Sequence, residues 1–396
     1  MSSVVDIYKK YQAQTFPYPS LLKIKKAIGC YIFDTNNKKY LDFVAGVSAN
    51  SIGHSNKYIT DAVKDQLDKY THVMVYGEYI QKPQYELAKL LSENLPKSLS
   101  TSYFTNSGTE AIEGAMKLAK RISGRSEIIY FKGSYHGSTQ GALSVMGNEY
   151  YKSKYRPLLP NCKQIIFNDI KSLENITKKT AAVIVETIQG GSGFKIAKED
   201  FLIELNKKCK QFNVQIIMDE IQTCYGRTGK LFGFENSPIV PDILCIAKGM
   251  GGGFPIGAFI SSWENMNKLT FAPKLGHITT FGGHPVVCAA ANACLNVLNE
   301  EIDFNEVEKL ASLLESLLKH EVEIIQTRRI GMMFAFDMTS AERVQKVVKK
   351  CLEKGLISFW FLSHPNSFRL SPPLNITENE IRKAADIILS SIKETK

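Results

Sequence analysis

The chain has 396 residues, 44% of them apolar and 22% charged, with a formal net charge of +10 and a pI near 9.0. That length exceeds what one hydrophobic core usually supports, so two domains are expected, and the ordinary composition excludes a disordered, collagenous or repetitive chain. The lysines are interleaved with acids, "KIKK" at 23–26 being among the densest clusters, so the charge lacks the stripe that tracking a nucleic-acid backbone requires.

The N-terminal stretch "MSSVVDIYKKYQAQTFPYP" carries no apolar signal core, and no run of about 18 apolar residues follows. A cytoplasmic protein without membrane contact is the expectation. "GCYIFDTNNKKYLDFVAG" reads as a hairpin turning at "DTNN". "YITDAVKDQLDKY" and "PQYELAKLLSENLP" show helical spacing, the second with a proline at its start.

From about 101 to 260, short apolar runs ("EIIYF", "AAVIV", "VQIIM", "DILCIA") alternate with helical stretches. This pattern predicts an α/β domain with a mostly parallel central sheet. A long helix is expected over about 285 to 300. Beyond it, helices near 305–320, 341–354 and 377–393 enclose the strand candidates "GMMFAFDM", "LISFWF" and "SFRLS", which suits a smaller α+β domain. The expected division is 1–55 as a segment packing with the small domain, 56–290 as the large domain and 291–396 as the small one.

Eight cysteines are scattered without a CxxC pair and the seven histidines show no metal-ligand spacing, so neither disulfides nor a metal site is expected.

In open α/β sheets, ligands sit outside the carboxyl ends of parallel strands, and four features follow predicted strands directly. In "YFTNSGTEAIEGAMKLAKR", Ser107, Gly108 and Thr109 open a helix and offer either a phosphate-binding N-terminus or a plain cap. In "FKGSYHGSTQGALS", Tyr135 and His136 lie between glycines, as an aromatic stacking loop or an ordinary surface turn. "VQIIMDEIQTCYGRTG" ends an apolar strand in Asp219, either a helix cap or the partner of a cationic ring nitrogen, and "AAVIVETIQGG" ends similarly in Glu186.

The fourth is Lys248, 29 residues after Asp219, at the head of four glycines within "GMGGG". A P-loop would place its glycines before the lysine. A solvated strand end and an amine that condenses with an aldehyde cofactor both remain for Lys248 alone. Taken together, the four features are the parts needed to hold pyridoxal 5′-phosphate.

With "LDFVAGVSANSIGH", "NSGTEA", "YHG", "DEIQTCYGRTGK", "AKGMGGGFPIGA", "TTFGGHP" and "FRLSPPL" in view, the chain resembles the class III pyridoxal-phosphate aminotransferases, in their acetylornithine and ornithine branch, over almost its whole length. The resemblance implies the type I aminotransferase fold and a homodimer with shared active sites, using a small-molecule amino donor and a 2-oxo acid acceptor. Racemases and aminomutases share that fold and are the alternative.

It further implies that Lys248 binds the cofactor and moves the proton, that Asp219 pairs with the ring nitrogen, and that Gln222 reaches the ring's phenolic oxygen. Tyr135, beside His136, would stack on the ring, and Glu186 would brace the pocket. Ser107, Gly108 and Thr109 would hold the phosphate, and Thr280 would reach the partner subunit's phosphate. Arg369 would bind a substrate carboxylate, with Val47 and Ser138 also facing substrate. Two positions depart from the branch. Ser138 stands where a carboxylate-binding arginine is usual, and Gly191 where a glutamate shields the other arginine. Recognition of a second carboxylate is expected to be weak unless another cation, such as Arg156, takes over.

Overall fold

The computed structural model describes residues 3–396. The N-terminal hairpin forms as expected. Strands β1 (Ile24–Ile28), β2 (Tyr31–Asp34) and β3 (Lys39–Asp42) are antiparallel, and Asp34 closes the turn by accepting from the backbone N–H groups of Asn36 and Lys38 at 2.9 and 2.8 Å.

The large sheet is built from β4 (Thr101–Thr105), β5 (Glu127–Phe131), β6 (Cys162–Ile165) and β7 (Thr180–Val185). A short hairpin, β8 (Ile188–Gln189) with β9 (Lys195–Ile196), intervenes before β10 (Gln215–Asp219), β11 (Ile243–Ile246) and β12 (Gly257–Ser261). The spatial order is β4-β12-β11-β10-β7-β5-β6, and only β12 runs against its neighbours. Strands β7, β10 and β11 are buried along their whole length, which is why they read as unbroken apolar runs rather than alternating ones. β6 and β12 carry weaker signals in sequence, being shorter of apolar residues or rich in small ones.

The helix Gly108–Ser123 packs on this sheet through Ile112, Ala115, Met116 and Ala119. Ser107 caps its start, accepting from Glu110 N at 3.3 Å, and Gly124 ends it at φ +68°. A Cβ at Gly114 would stand 2.3 Å from the Phe259 ring. That glycine therefore sets how closely the helix approaches β12.

The helix Pro285–Glu301 lies against the helices Lys57–Leu67 and Lys82–Glu93. Beyond it, β13 (Gln326–Ile330), β14 (Met333–Asp337), β16 (Phe359–Trp360) and β17 (Ser367–Leu370) form an antiparallel sheet in the order β13-β14-β17-β16. The helices Phe304–Leu318, Ala341–Glu353 and Glu378–Glu394 accompany it.

Two details differ from expectation. "LISFWF" is not one strand, because β15 (Leu356–Ile357) leaves the C-terminal sheet to pair in parallel with β3. β13 was not signalled by its polar sequence "QTRRI". Its arginines are held by distant acids: Arg328 forks onto Asp337 at 2.8 and 2.6 Å, and Arg329 bridges Glu315 and Glu308 at 2.8 and 2.9 Å. Among the described residues no helix is long and apolar enough to cross a membrane.

Candidate active site

Strand register brings the four strand-end features together. Asp219, the last residue of β10, pairs with Cys245 of β11, so Lys248 emerges three residues on from the neighbouring position. Met218 pairs with Val185, which sets Glu186 beside Asp219. β5 lies next, and its exit leads into the Tyr135 loop. A cavity of about 500 Å³ opens at these carboxyl ends. Ser107, Gly108 and Thr109 line one side, Tyr135, His136 and Ser138 another, and Glu186, Asp219, Gln222 and Lys248 the floor.

The Asp219 carboxylate is 5% exposed. One oxygen accepts from Ile221 N at 2.9 Å, and the other pairs with His136 Nδ1 at 2.7 Å. Burial works against charge on His136, yet the hydrogen bond to Asp219, its charge and that of Glu186 prevail and raise the imidazole pKa. Glu186 accepts from Tyr135 N at 3.1 Å and Gly190 N at 2.8 Å. Burial pushes its carboxyl up to about 7 against the pull of His136 and of these two N–H groups, while the Asp219 charge adds to the rise.

Lys248 is half-buried at the start of a single 3₁₀ turn, with φ +46°. A lysine in this left-handed region costs about 1–3 kcal/mol and persists only where surroundings impose it. Thiols flank it: Cys224 Sγ donates to Ala247 O at 3.6 Å, and Cys294 Sγ to Gly249 O at 3.2 Å. Burial holds the amine pKa below its usual value, with Asp219 opposing and Arg369 adding to the fall. A larger neutral fraction of a nucleophilic amine follows.

The residues fit a flat, phosphate-bearing aldehyde cofactor. Ser107 is both cap and cavity wall, so the two readings of that site are compatible. Gly108 admits no side chain, since a Cβ there would meet Ile221 at 2.7 Å. Thr109 Oγ1 and Thr139 Oγ1 share a hydrogen bond of 2.7 Å at the same rim. His136 Nε2 and Gln222 Nε2 are buried without partners, donors that a bound ring would satisfy.

Three sequence candidates stand apart from this lining. Arg369 on β17 is buried, with its guanidinium carbon 5.0 Å from the Phe194 ring centre and 5.3 Å from that of Phe361. Its Nε and Nη2 have no hydrogen-bond partner, and burial lowers its pKa to about 10, which leaves it a cation at neutral pH. Val47 sits at φ +60° in the left-handed turn Ala45–Ser48, whose first N–H groups, of Val44 and Ala45, are held by Asp42 at 2.9 and 3.0 Å. Thr280 is exposed, while its neighbour Thr279 accepts from Asn106 Nδ2 at 2.9 Å.

Gly191 lies on the cavity wall and its carbonyl accepts from Ser363 N at 2.9 Å. Arg156 is outside the lining, and its guanidinium forks onto Glu149 at 2.8 to 2.9 Å. Sequence reasoning missed Phe194, Phe361 and Arg227. The two phenylalanines look like ordinary core residues, and Arg227, quoted within "YGRTG", gave no local sign of being fully buried.

A lysine and an aspartate at adjacent strand ends, lining one cavity with a helix N-terminus, make up the arrangement of a pyridoxal-phosphate-dependent enzyme of the type I aminotransferase fold. The profile of the family described as "Aminotransferase class-III" matches residues 13–392. An acetylornithine aminotransferase of Archaeoglobus fulgidus is 38% identical over 388 residues, covering 98% of this chain and 99% of that protein. That of Bacillus subtilis is 34% identical over 99% of this chain and 98% of its own. Among solved structures, the ornithine aminotransferase of Toxoplasma gondii superposes with a TM-score of 0.90 at 29% identity, covering 98% and 94% of the two chains. The chain belongs to the class-III aminotransferases. It is a transferase that uses pyridoxal 5′-phosphate to move an amino group to a 2-oxo acid.

Proposed function

We propose that the amino donor is an amino acid or ω-amine of the acetylornithine and ornithine kind, held by one carboxylate on Arg369 and without a second ionic grip at Ser138. The observation that carries this reading is the cavity wall itself, where among the described residues there is no arginine and Lys248 is the only lysine. Ser138 is exposed and its hydroxyl is 3.3 Å from Tyr135 Oη. A serine cannot reproduce the two-pronged hold of a guanidinium on a carboxylate.

The bound cofactor supplies an aldehyde for condensation with amines and a ring that accepts electrons from the donor carbon. Lys248 Nζ would hold the cofactor through its aldehyde and, when free, would serve as the group that moves the proton at the donor carbon. Asp219 keeps the ring nitrogen cationic, and His136 fixes the aspartate's orientation. Ser107, Gly108 and Thr109 take the phosphate, Gln222 donates to the ring's oxygen, Tyr135 covers one face, and Glu186 braces the loop that carries Tyr135. Val47 borders the donor's path.

A half-reaction screen tests the substrate reading: cofactor bleaching is followed with a panel of donors, and its recovery with a panel of 2-oxo acids. Monocarboxylic acceptors are expected to match or exceed 2-oxoglutarate. Ser138→Arg should raise kcat/KM for 2-oxoglutarate roughly tenfold to a hundredfold, the worth of one desolvated charge-assisted pair. A wild-type enzyme that far prefers dicarboxylic partners, with no gain from Ser138→Arg, sinks the proposal. Omitting the 2-oxo acid in the same screen separates transamination from racemisation, because only transamination stalls.

The working unit in this reading is a cytoplasmic homodimer in which Thr280 contacts the phosphate held by the partner subunit. Exposed apolar residues support it, Ile80 at 93% and Phe271 at 63% among them. Cofactor and dimer then stabilise each other by linkage. Sedimentation should show Thr280→Ala losing cofactor on dilution more readily than wild type. A monomer that retains the cofactor fully overturns the shared site.

A further inference from the structure

The chain buries a second guanidinium for which the reaction so far has no use. Arg227 is 0% exposed. Its Nη1 donates to the Pro372 carbonyl, its Nη2 to Ser51 Oγ at 3.3 Å, and its Nε has no partner. Its own carbonyl accepts from Met332 N at 3.1 Å.

Neither Arg227 nor Arg369 forms an ion pair with a carboxylate among the described residues. Asp42 is the acid whose charge Arg227 feels, and that carboxylate is taken up by Val44 N, Ala45 N and His54 Nε2. Burial first, and then the charge of Arg369, depress the Arg227 pKa to about 9, so both groups are cations at neutral pH. Two neighbouring buried cations without an anion are costly to the folded protein.

The same contacts are mechanical. Pro372 lies three residues beyond Arg369, and Ser371 N in between donates to Phe43 O at 2.7 Å. Arg227 thereby joins the exit of β17, the N-terminal segment at Ser51 and the turn between β13 and β14. We infer that Arg227 is a positioning residue for substrate carboxylates, holding the β17 exit so that Arg369 stays seated on Phe194 and Phe361 and adding its charge to the same anion site. This rests on the reading of Arg369 as the carboxylate anchor.

The test uses the holoenzyme and its R227M, R227K and R369M variants. Three quantities are measured: the calorimetric Kd of hexanoate as a bare monocarboxylate probe, KM and kcat for an α-amino acid donor, and kcat/KM for a primary amine lacking a carboxylate. R227M should weaken hexanoate and raise the amino-acid KM about tenfold, with kcat changing less than about threefold. R227K, which keeps the charge but not the fork, should fall in between, at about threefold.

Equal losses of kcat/KM for the amino acid and the carboxylate-free amine, with hexanoate affinity unchanged, mean a merely structural residue and overturn the inference. If R369M weakens hexanoate and R227M does not, the inference on Arg227 fails alone. If R369M leaves hexanoate binding intact, the reading of Arg369 fails, and the inference with it. Should R227M not fold, R227K decides, and unchanged hexanoate affinity in it overturns the proposal.

Discussion

Lys248→Ala is expected to give a folded protein that turns over no substrate and shows no visible absorption band from lysine-bound cofactor. The amine is the only one on the cavity wall among the described residues, and the backbone that presents it sits at φ +46° between the Cys224 and Cys294 thiol contacts. No neighbouring group can substitute for it as nucleophile or as proton carrier. The expected loss is at least about a millionfold in turnover, the scale of removing a covalent and acid–base group together. Far-ultraviolet dichroism and a melting curve would establish that the fold survives. The side chain lines the cavity and belongs to neither of the two large core clusters, so a large drop in melting temperature is not expected. Multiple turnovers by this variant, with the chromophore unchanged, would show that the lysine has been misassigned.

Asp219→Asn should cost about a thousandfold in kcat when cofactor is kept saturating, and should weaken cofactor binding as well. The carboxylate is 5% exposed, where an attraction to a cationic ring nitrogen is little screened. A loss of about 4 kcal/mol there corresponds to three powers of ten in rate. His136 is left without its 2.7 Å partner, so its raised pKa should fall by loss of the very interactions that raise it, and burial should then favour the neutral ring. Nitrogen-resolved NMR of the imidazole reads that change independently of activity. A variant within about threefold of wild type in kcat would mean that Asp219 is a cap for the following turn and nothing more.

Much of this site is legible in the sequence. Lys248 before its glycines, Asp219 and Glu186 at the ends of apolar runs, and Ser107 to Thr109 at a helix start are each local signals. A buried strand must be apolar along its length, and its first polar residue marks where it leaves the sheet. The pairing of Asp219 with Cys245 and of Met218 with Val185 then places those ends side by side, as parallel topology requires. The departures at Ser138 and Gly191 were equally visible, being single letters within known surroundings.

What the letters did not carry are features whose cause lies far along the chain. β15 joins β3 across more than 300 residues of sequence, and two residues of apolar character cannot announce such a partner. The adjacent arginines of β13, Arg328 and Arg329, sit in a strand because Asp337, Glu308 and Glu315 are brought to them.

Arg227 has the composition of a surface loop and is fully buried, held by the Pro372 carbonyl and Ser51. The left-handed turn at Ala45, Gly46, Val47 and Ser48 contains a single glycine; about 1–2 kcal/mol for each of its other residues is offset by Asp42 and its surroundings rather than by sequence preference. Sequence alone determined the chemistry, because strand ends and helix starts are written in neighbouring residues. Tertiary structure decided the surroundings of Arg369, the proposed carboxylate anchor, because its seat against Phe194, Phe361 and the β17 exit is assembled from segments that only folding brings together.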